Sequence, residues 1–360
     1  MIPFSGSYPP ADVVFLLKPI ALATVDIAGK ERLIQSGARH YSELLSPEQV
    51  PGPHYLHLFE ALTARYAQRL AVEIMALARY LAETRPQQIT LVSLARAGTP
   101  IGVLLIRALR QWGRTDARHY SISIIRDRGI DQNALAFILR REQRQPAGLA
   151  FVDGWTAKGV ISRELRQAVH HWNARQPEPL DESLHVVADI GGVADVAATY
   201  DDYAIPSGIL NATVSGLTSR SILNAAIGPD DFHGCVFYEQ FRPQDRSCWF
   251  VDQIATHFAH AASEPVYCDP DQRLERRRLM MDFLVRIHND YRVGHQNFIK
   301  PGVAEATRVL LRRLPDLLLL RDPEQPDVEH LRLLAAEKRI PIVIDPAMPI
   351  QATALIKDLS

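Results

Sequence analysis

Two short segments of this 360-residue chain place polar, glycine-containing turns directly after apolar strands, an arrangement able to hold a phosphate. The first is Leu91-Val-Ser-Leu-Ala-Arg96-Ala97-Gly98-Thr99-Pro100-Ile-Gly102, read as a buried strand, a turn and a helix. Thr99 can cap that helix, and Pro100 suits its first turn, where a missing N–H leaves nothing unpaired. Free amides at the helix N-terminus and the Arg96 guanidinium then offer donors and positive charge to an anion such as a diphosphate. The same pattern also makes an ordinary packed turn. The second segment runs from Leu149 through Asp153, Gly154, Trp155, Thr156, Ala157, Lys158 and Gly159 to Val160. Here Asp153 can accept hydrogen bonds from sugar hydroxyls, while Thr156, Lys158 and the loop amides can hold a phosphate. Gly154 and Gly159 permit close backbone approach.

Other residues extend the inventory. Ser121 to Gly129 reads as a strand entering a basic loop, Arg126-Asp127-Arg128-Gly129, which serves either an anion or a solvated surface. Asn211 to Ser221 gathers small hydroxyls, with Ser215 and Thr218 as candidates for a pocket wall against a base or phosphate; a polar cap and turn fits equally. The chain has three cysteines: Cys235, Cys248 and Cys268. A thiol hydrolase needs a thiolate beside a histidine, which Cys235 with His233, or Cys248 with His257 or His260, can supply. Cys235 lies in an apolar run that reads as core, and no local signature of a thiol protease surrounds any of the three.

The elements that must position these residues alternate as in a parallel α/β sheet. Strands are expected at Ile89–Leu94, His119–Ile125, Leu149–Asp153 and Leu184–Asp189, and helices at Pro100–Trp112, Gln132–Arg141 and Val160–Ala174. Leu56 to Glu83 has helical apolar spacing and predicts one or two helices, preceded by an irregular Pro- and Gly-rich cap that carries short elements such as Asp12–Leu17. A further helix is expected at Ile222–Ile227. Pro270 to Val293 predicts a helix bridging to a second small α/β unit, with helices at Val303–Arg313, Val328–Lys338 and Ile350–Asp358 and strands at Asp316–Leu320 and Pro341–Ile344. The expected division is 1–85 cap and helices, 86–268 catalytic domain, 269–299 linking helix and 300–360 C-terminal domain.

With 47% hydrophobic residues and a formal net charge of −1, the chain can bury large cores, and any nucleic-acid binding must come from one face. It shows neither a leader pattern nor a stretch long enough to span a bilayer, so a cytoplasmic protein without a membrane partner is expected.

Together, the two phosphate-type loops and the basic loop between them resemble type I phosphoribosyltransferases. The usual signature has a second acid where Gly154 stands and a threonine where Lys158 stands. The resemblance implies a phosphoribosyltransferase-like parallel core and transfer of a phosphoribosyl group from phosphoribosyl diphosphate to an unidentified base or small nucleophile. Magnesium would bind the diphosphate, with Asp153 as its indirect contact. Arg96, Arg126 and Arg128 would neutralise the leaving group. Ala97, Gly98, Thr99, the Gly154–Gly159 loop, Ser215 and Thr218 would bind the phosphorylated sugar.

On a larger scale, Phe4–Tyr8, Asp12–Lys18, Lys30–Gly37, His40–Glu43, Asn211–Asn224 and Asp231–Gly234 resemble one bacterial family. It is associated with tellurium-resistance and stress gene clusters and is named either phosphoribosyltransferase-like or cysteine protease StiP. The implied alternatives are therefore a cysteine protease using Cys235 or Cys248, and a non-catalytic sugar-phosphate or nucleotide sensor. The C-terminal unit resembles a pelota-type RNA-binding domain, in which Gly302, Glu305 and Arg308 match the expected glycine, acid and base. Lys300, Arg308, Arg312 and Arg313 would contact RNA phosphates. Alternatively, these charges are a solvated helix face on a domain that makes a homodimer.

Overall fold

The computed structural model describes residues 3–262 and 264–359. In chain order, β1 (Val14–Leu16), β2 (Lys18–Pro19) and α1 (Ile27–Gln35) precede the long helix α2 (Pro53–Thr84). Then come β3 (Thr90–Ala95), α3 (Gly98–Gln111), β4 (Arg118–Ile125), β5 (Gly129–Ile130), α4 (Gln132–Ala136), β6 (Leu149–Thr156), α5 (Val160–Asn173), β7 (Leu184–Asp189) and β8 (Val196–Thr199). A long irregular stretch contains β9 (Gly234–Cys235) and leads to α6 (Ser247–Ala255) and α7 (Pro270–Asp290). The C-terminal unit is β10 (Ile299–Pro301), α8 (Val303–Arg312), β11 (Pro315–Leu320), α9 (Glu329–Lys338), β12 (Ile342–Ile344) and β13 (Ala352–Ile356).

The main sheet has the order β1-β4-β3-β6-β7-β8, all parallel, with β5 antiparallel on β4. Its central strands are apolar and buried along their length, as strands covered on both faces must be. One face packs against α2, α3 and α6, with Leu70, Ile74, Leu77, Ile101, Leu105 and Phe250 in a single core. The other packs against α4 and α5 through Leu135, Leu165, Val169 and Trp172. This is an α/β protein with a parallel sheet core. Its C-terminal unit is a small mixed sheet of order β10-β13-β11-β12, in which only β11 and β12 run parallel. Met280, Phe283, Leu284 and Ile287 of α7 pack against this sheet, and α8 and α9 cover its other side.

Several expectations change. The amphipathic run after the cap is one helix, α2, entered by Pro53 in its first turn and ended at Arg85 before Pro86. The short element expected at Asp12–Leu17 in the cap is β1, whose Val14-Phe-Leu16 pairs with Tyr120–Ile122 and forms the sheet edge. Residues 350–358 do not form a helix. Ala352–Ile356 is β13, wholly buried between β10 and β11, and a strand buried on both faces carries no alternation to reveal it. Ile222–Ile227 is not helical either; Ile222 makes an isolated bridge to Gly234. Among the described residues no helix is long and apolar enough to cross a membrane.

The two units meet through specific contacts. Asp202, in the loop after β8, accepts hydrogen bonds from the amides of Val303 (2.8 Å), Gln351 (2.9 Å) and Ala352 (3.4 Å). Asp327 returns the arrangement, accepting from the Ala204 amide at 3.0 Å and the Tyr66 hydroxyl at 2.5 Å. Gly302, at φ +94°, lets the start of α8 approach the core: a Cβ there would lie 2.6 Å from Ile190 Cδ1. Helix α1 is tied to the C-terminal unit by Glu31 with Arg313, and by Gln35 with the backbone of Lys357 and Leu359.

Candidate functional site

Where the carboxyl end of β6 faces α8, the two units and α1 enclose a cleft of about 710 Å³. From β6 and the loop after it come Asp153, Trp155, Thr156, Ala157, Lys158 and Gly159. Arg126 and Tyr41 enter from the core, Lys30 from α1 and Arg220 from the irregular stretch before β9. Lys300, Glu305, Arg308, Arg312 and Arg313 come from the C-terminal unit. Cations outnumber the carboxylates of Asp153, Glu305 and Asp358, so the cleft favours anions.

Its polar groups are strongly perturbed. Burial raises the Asp153 carboxyl to about 7, against the effects of its one amide donor, Gly154 (2.7 Å), and of Arg308. Lys158 is lowered to about 7, first by burial and then by Lys300; its Nζ donates to the carbonyls of Gln296 (2.8 Å) and Ile299 (2.9 Å). It thereby fastens the β6 loop to the C-terminal unit. Burial also brings Lys300 to about 8. Glu305 forms a 2.8 Å ion pair with Arg308, whose guanidinium lies 4.7 Å from the Trp155 ring centroid. Tyr41 has Arg126 and Arg220 each 5.2 Å from its ring centroid, and its hydroxyl accepts from the Arg126 amide.

The expected site residues separate into two groups. Asp153, Trp155–Gly159, Arg126, Lys300, Glu305, Arg308 and Arg312 share the cleft. The Arg96–Thr99 turn does not open into it. Arg96 is buried, donates to the Thr218 carbonyl and faces Glu48 at 3.5 Å. Gly98 lies so close to β6 that a Cβ would come within 2.7 Å of the Val152 carbonyl oxygen. Thr99 hydrogen-bonds Ser121 through its hydroxyl and is buried with Gly98. The turn is therefore an ordinary packed one, and its amides are not a diphosphate cradle. Gly154 is buried beneath the cleft wall, and Gly302 forms the close approach between units. Arg128 is held by Glu43 at 3.3 Å, outside the cleft. Ser215 and Thr218 are buried and bond to backbone carbonyls of their own loop, the polar-turn alternative.

Lys30, Tyr41 and Arg220 were not singled out as site residues. Their only signal was their place inside the segments Lys30–Gly37, His40–Glu43 and Asn211–Asn224, because the fold brings them together from distant positions.

None of the thiols lines the cleft. Cys235 is fully buried, and burial pushes its thiol up to about 12. Its expected partner, His233, instead places Nδ1 2.7 Å from the Ser123 hydroxyl. Cys248 is half-buried in the first turn of α6 and donates to the Ser7 carbonyl at 3.3 Å. Burial, then Asp245 and Asp252, raise its pKa. Cys268 is exposed. Among the described residues no imidazole nitrogen hydrogen-bonds a cysteine sulfur, and no three His, Cys, Asp or Glu side chains cluster as a metal site.

Residues 6–255 match the family described as tellurite-like stress resistance cysteine protease StiP. Residues 279–358 match the PELOTA RNA binding domain. A protein of Acinetobacter baylyi, "Cysteine protease StiP", is 41% identical over 99% of this chain and 95% of its own length. These matches overturn phosphoribosyl transfer as the reaction, since the family and the relative both carry the name of a cysteine protease. Magnesium, expected only with the diphosphate substrate, loses its motive as well.

Proposed function

Because this chain belongs to the StiP family of tellurite-like stress resistance cysteine proteases, we propose that it is a stress-resistance thiol hydrolase that works in contact with RNA. The observation that carries the RNA half is the cationic cleft between the parallel core and the matched RNA-binding domain. Lysines and arginines gathered from both units suit a phosphodiester backbone, and each contact displaces counterions and adds salt dependence. The single-stranded form is favoured, because Trp155 and Tyr41 in the cleft lining offer ring faces on which unpaired bases can stack. Strand order and the acid at the end of β6 support a phosphoribosyltransferase-like origin for the core, as a fold without that chemistry. The cytoplasm, where RNA is met and thiols stay reduced, is the compartment we assign.

For the hydrolase half, Cys248 is the thiol best placed. It lies in the first turn of a nine-residue helix and is accessible where Cys235 is not, although burial and the Asp245 and Asp252 carboxylates disfavour its thiolate. Its raised pKa keeps it protonated at neutral pH, so alkylation by iodoacetamide should accelerate as pH rises above the ordinary thiol range. Peptidase activity of the full chain on a casein substrate should vanish in Cys248→Ser and persist in Cys235→Ser. Activity surviving in Cys248→Ser would remove this thiol as nucleophile. A gel shift with single-stranded RNA should weaken with salt and with Arg308→Ala; no shift at low salt would end the RNA reading.

A further inference from the structure

One wall of the cleft is built from cations that form no ion pair with a carboxylate among the described residues. Arg312, in the last turn of α8, is partly buried in the cleft wall. Among the described residues its guanidinium makes no hydrogen bond or ion pair, and its Nε is buried and unsatisfied. Arg220 gives one terminal nitrogen to the carbonyls of Tyr41 and Leu44, leaving the other, Nη1, buried and unpaired. Lys30 of α1 is buried and likewise makes neither a hydrogen bond nor an ion pair among the described residues. Each of the three lies within electrostatic reach of the other two. Burial followed by Arg220 brings Lys30 down to about 8, and burial followed by Arg96 takes Arg312 well below the guanidinium range.

Three of the carboxylates nearby are committed to other partners, and Asp153 and Asp358 also line the cleft. Glu31 pairs with Arg313, and Glu305 pairs with Arg308. Glu48 faces Arg96 and accepts from the Ala212 amide. Glu31 and Glu48 offset Lys30 and Arg312 only in part; a buried cation short of counter-charge is unfavourable, so this wall suits a ligand with concentrated negative charge. A phosphodiester carries one negative charge, whereas a terminal monoester carries nearly two and offers three acceptor oxygens to donors from three directions.

We propose that Lys30, Arg220 and Arg312 form a receptor for the terminal phosphate monoester of a ribonucleotide, either free or at the end of an RNA strand. The second source rests on the RNA reading above; the first does not.

The test is calorimetry on the full chain with adenosine 5′-monophosphate against adenosine, and with a short single-stranded oligoribonucleotide bearing a 5′-phosphate, a 3′-phosphate or hydroxyl ends. A phosphate-bearing probe should bind about tenfold or more tightly than its hydroxyl counterpart. Arg312→Met and Lys30→Gln should each remove that preference. Arg312→Met should keep or raise the thermal midpoint, because it replaces a partly buried charge that has no ion pair with an apolar chain; Lys30→Gln provides an independent variant. Equal affinity for phosphate and hydroxyl forms in both probe series, or a preference that survives both substitutions, would overturn the receptor. RNA binding without any end preference would sink the receptor and leave the RNA reading standing. A preference for the monophosphate with no affinity for RNA would uphold the receptor and sink the RNA reading.

Discussion

Asp153, within β6, and Lys158, in the turn after it, stand five positions apart and are driven in opposite directions by burial, the acid up to about 7 and the base down to about 7. Between pH 6 and 8 each loses a proton, and both losses make the cleft less positive. Affinity for an oligoribonucleotide with hydroxyl ends, whose phosphodiesters keep a constant charge, should therefore fall across this range at fixed ionic strength. Asp153→Asn should remove the acid's share of the fall, and a flat wild-type profile would contradict the assignment. The linkage to stability has a definite sign. A folded carboxyl raised above its unfolded value stabilises at low pH, and that contribution disappears as pH rises through about 7. Asp153→Asn should therefore be more stable than wild type at pH 8, on the order of 2 kcal/mol, with the advantage shrinking toward pH 5 in denaturant titrations.

Helices and strands were the most legible level. The apolar runs of β3, β4, β6 and β7 announce buried parallel strands, and α2 and α5 carry their apolar stripes openly. Less legible was how close those elements lie. Gly98 was read as part of an anion cradle because its neighbours have the right types, yet its role is to let α3 touch β6. Gly98→Ala should therefore push α3 off the sheet and cost about 1–3 kcal/mol, lowering the thermal midpoint; an unchanged midpoint would mean that the contact relaxes freely. β13 was missed for the opposite reason. Ala-Thr-Ala-Leu-Ile has no period to separate helix from strand, and only pairing with β10 and β11 decides it.

For the whole molecule, the cleft exists because two units dock, and no local pattern in the chain encodes docking. Lys30, Tyr41, Arg220 and Arg312 come from four separate stretches, so nothing about their spacing could reveal a shared wall. The Asp202 carboxylate holds three amides of the C-terminal unit. Asp202→Ala should speed hydrogen exchange at Val303, Gln351 and Ala352 and cost about 1–3 kcal/mol, while amides in β3 and β6 stay protected. Unchanged exchange at those three positions would assign docking to the apolar contacts alone.

The tie from α1 to the backbone that follows β13 also governs when the cleft comes into being. On the ribosome Lys30 and Arg220 emerge well before Arg312, and Gln35 waits for the backbone of Lys357 and Leu359. A nascent chain therefore carries an unfinished wall until Arg312 has emerged, and the tie to α1 forms only after residues 357–359 follow. A chain released before Arg312 keeps Lys30 and Arg220 but lacks the third cation of the wall.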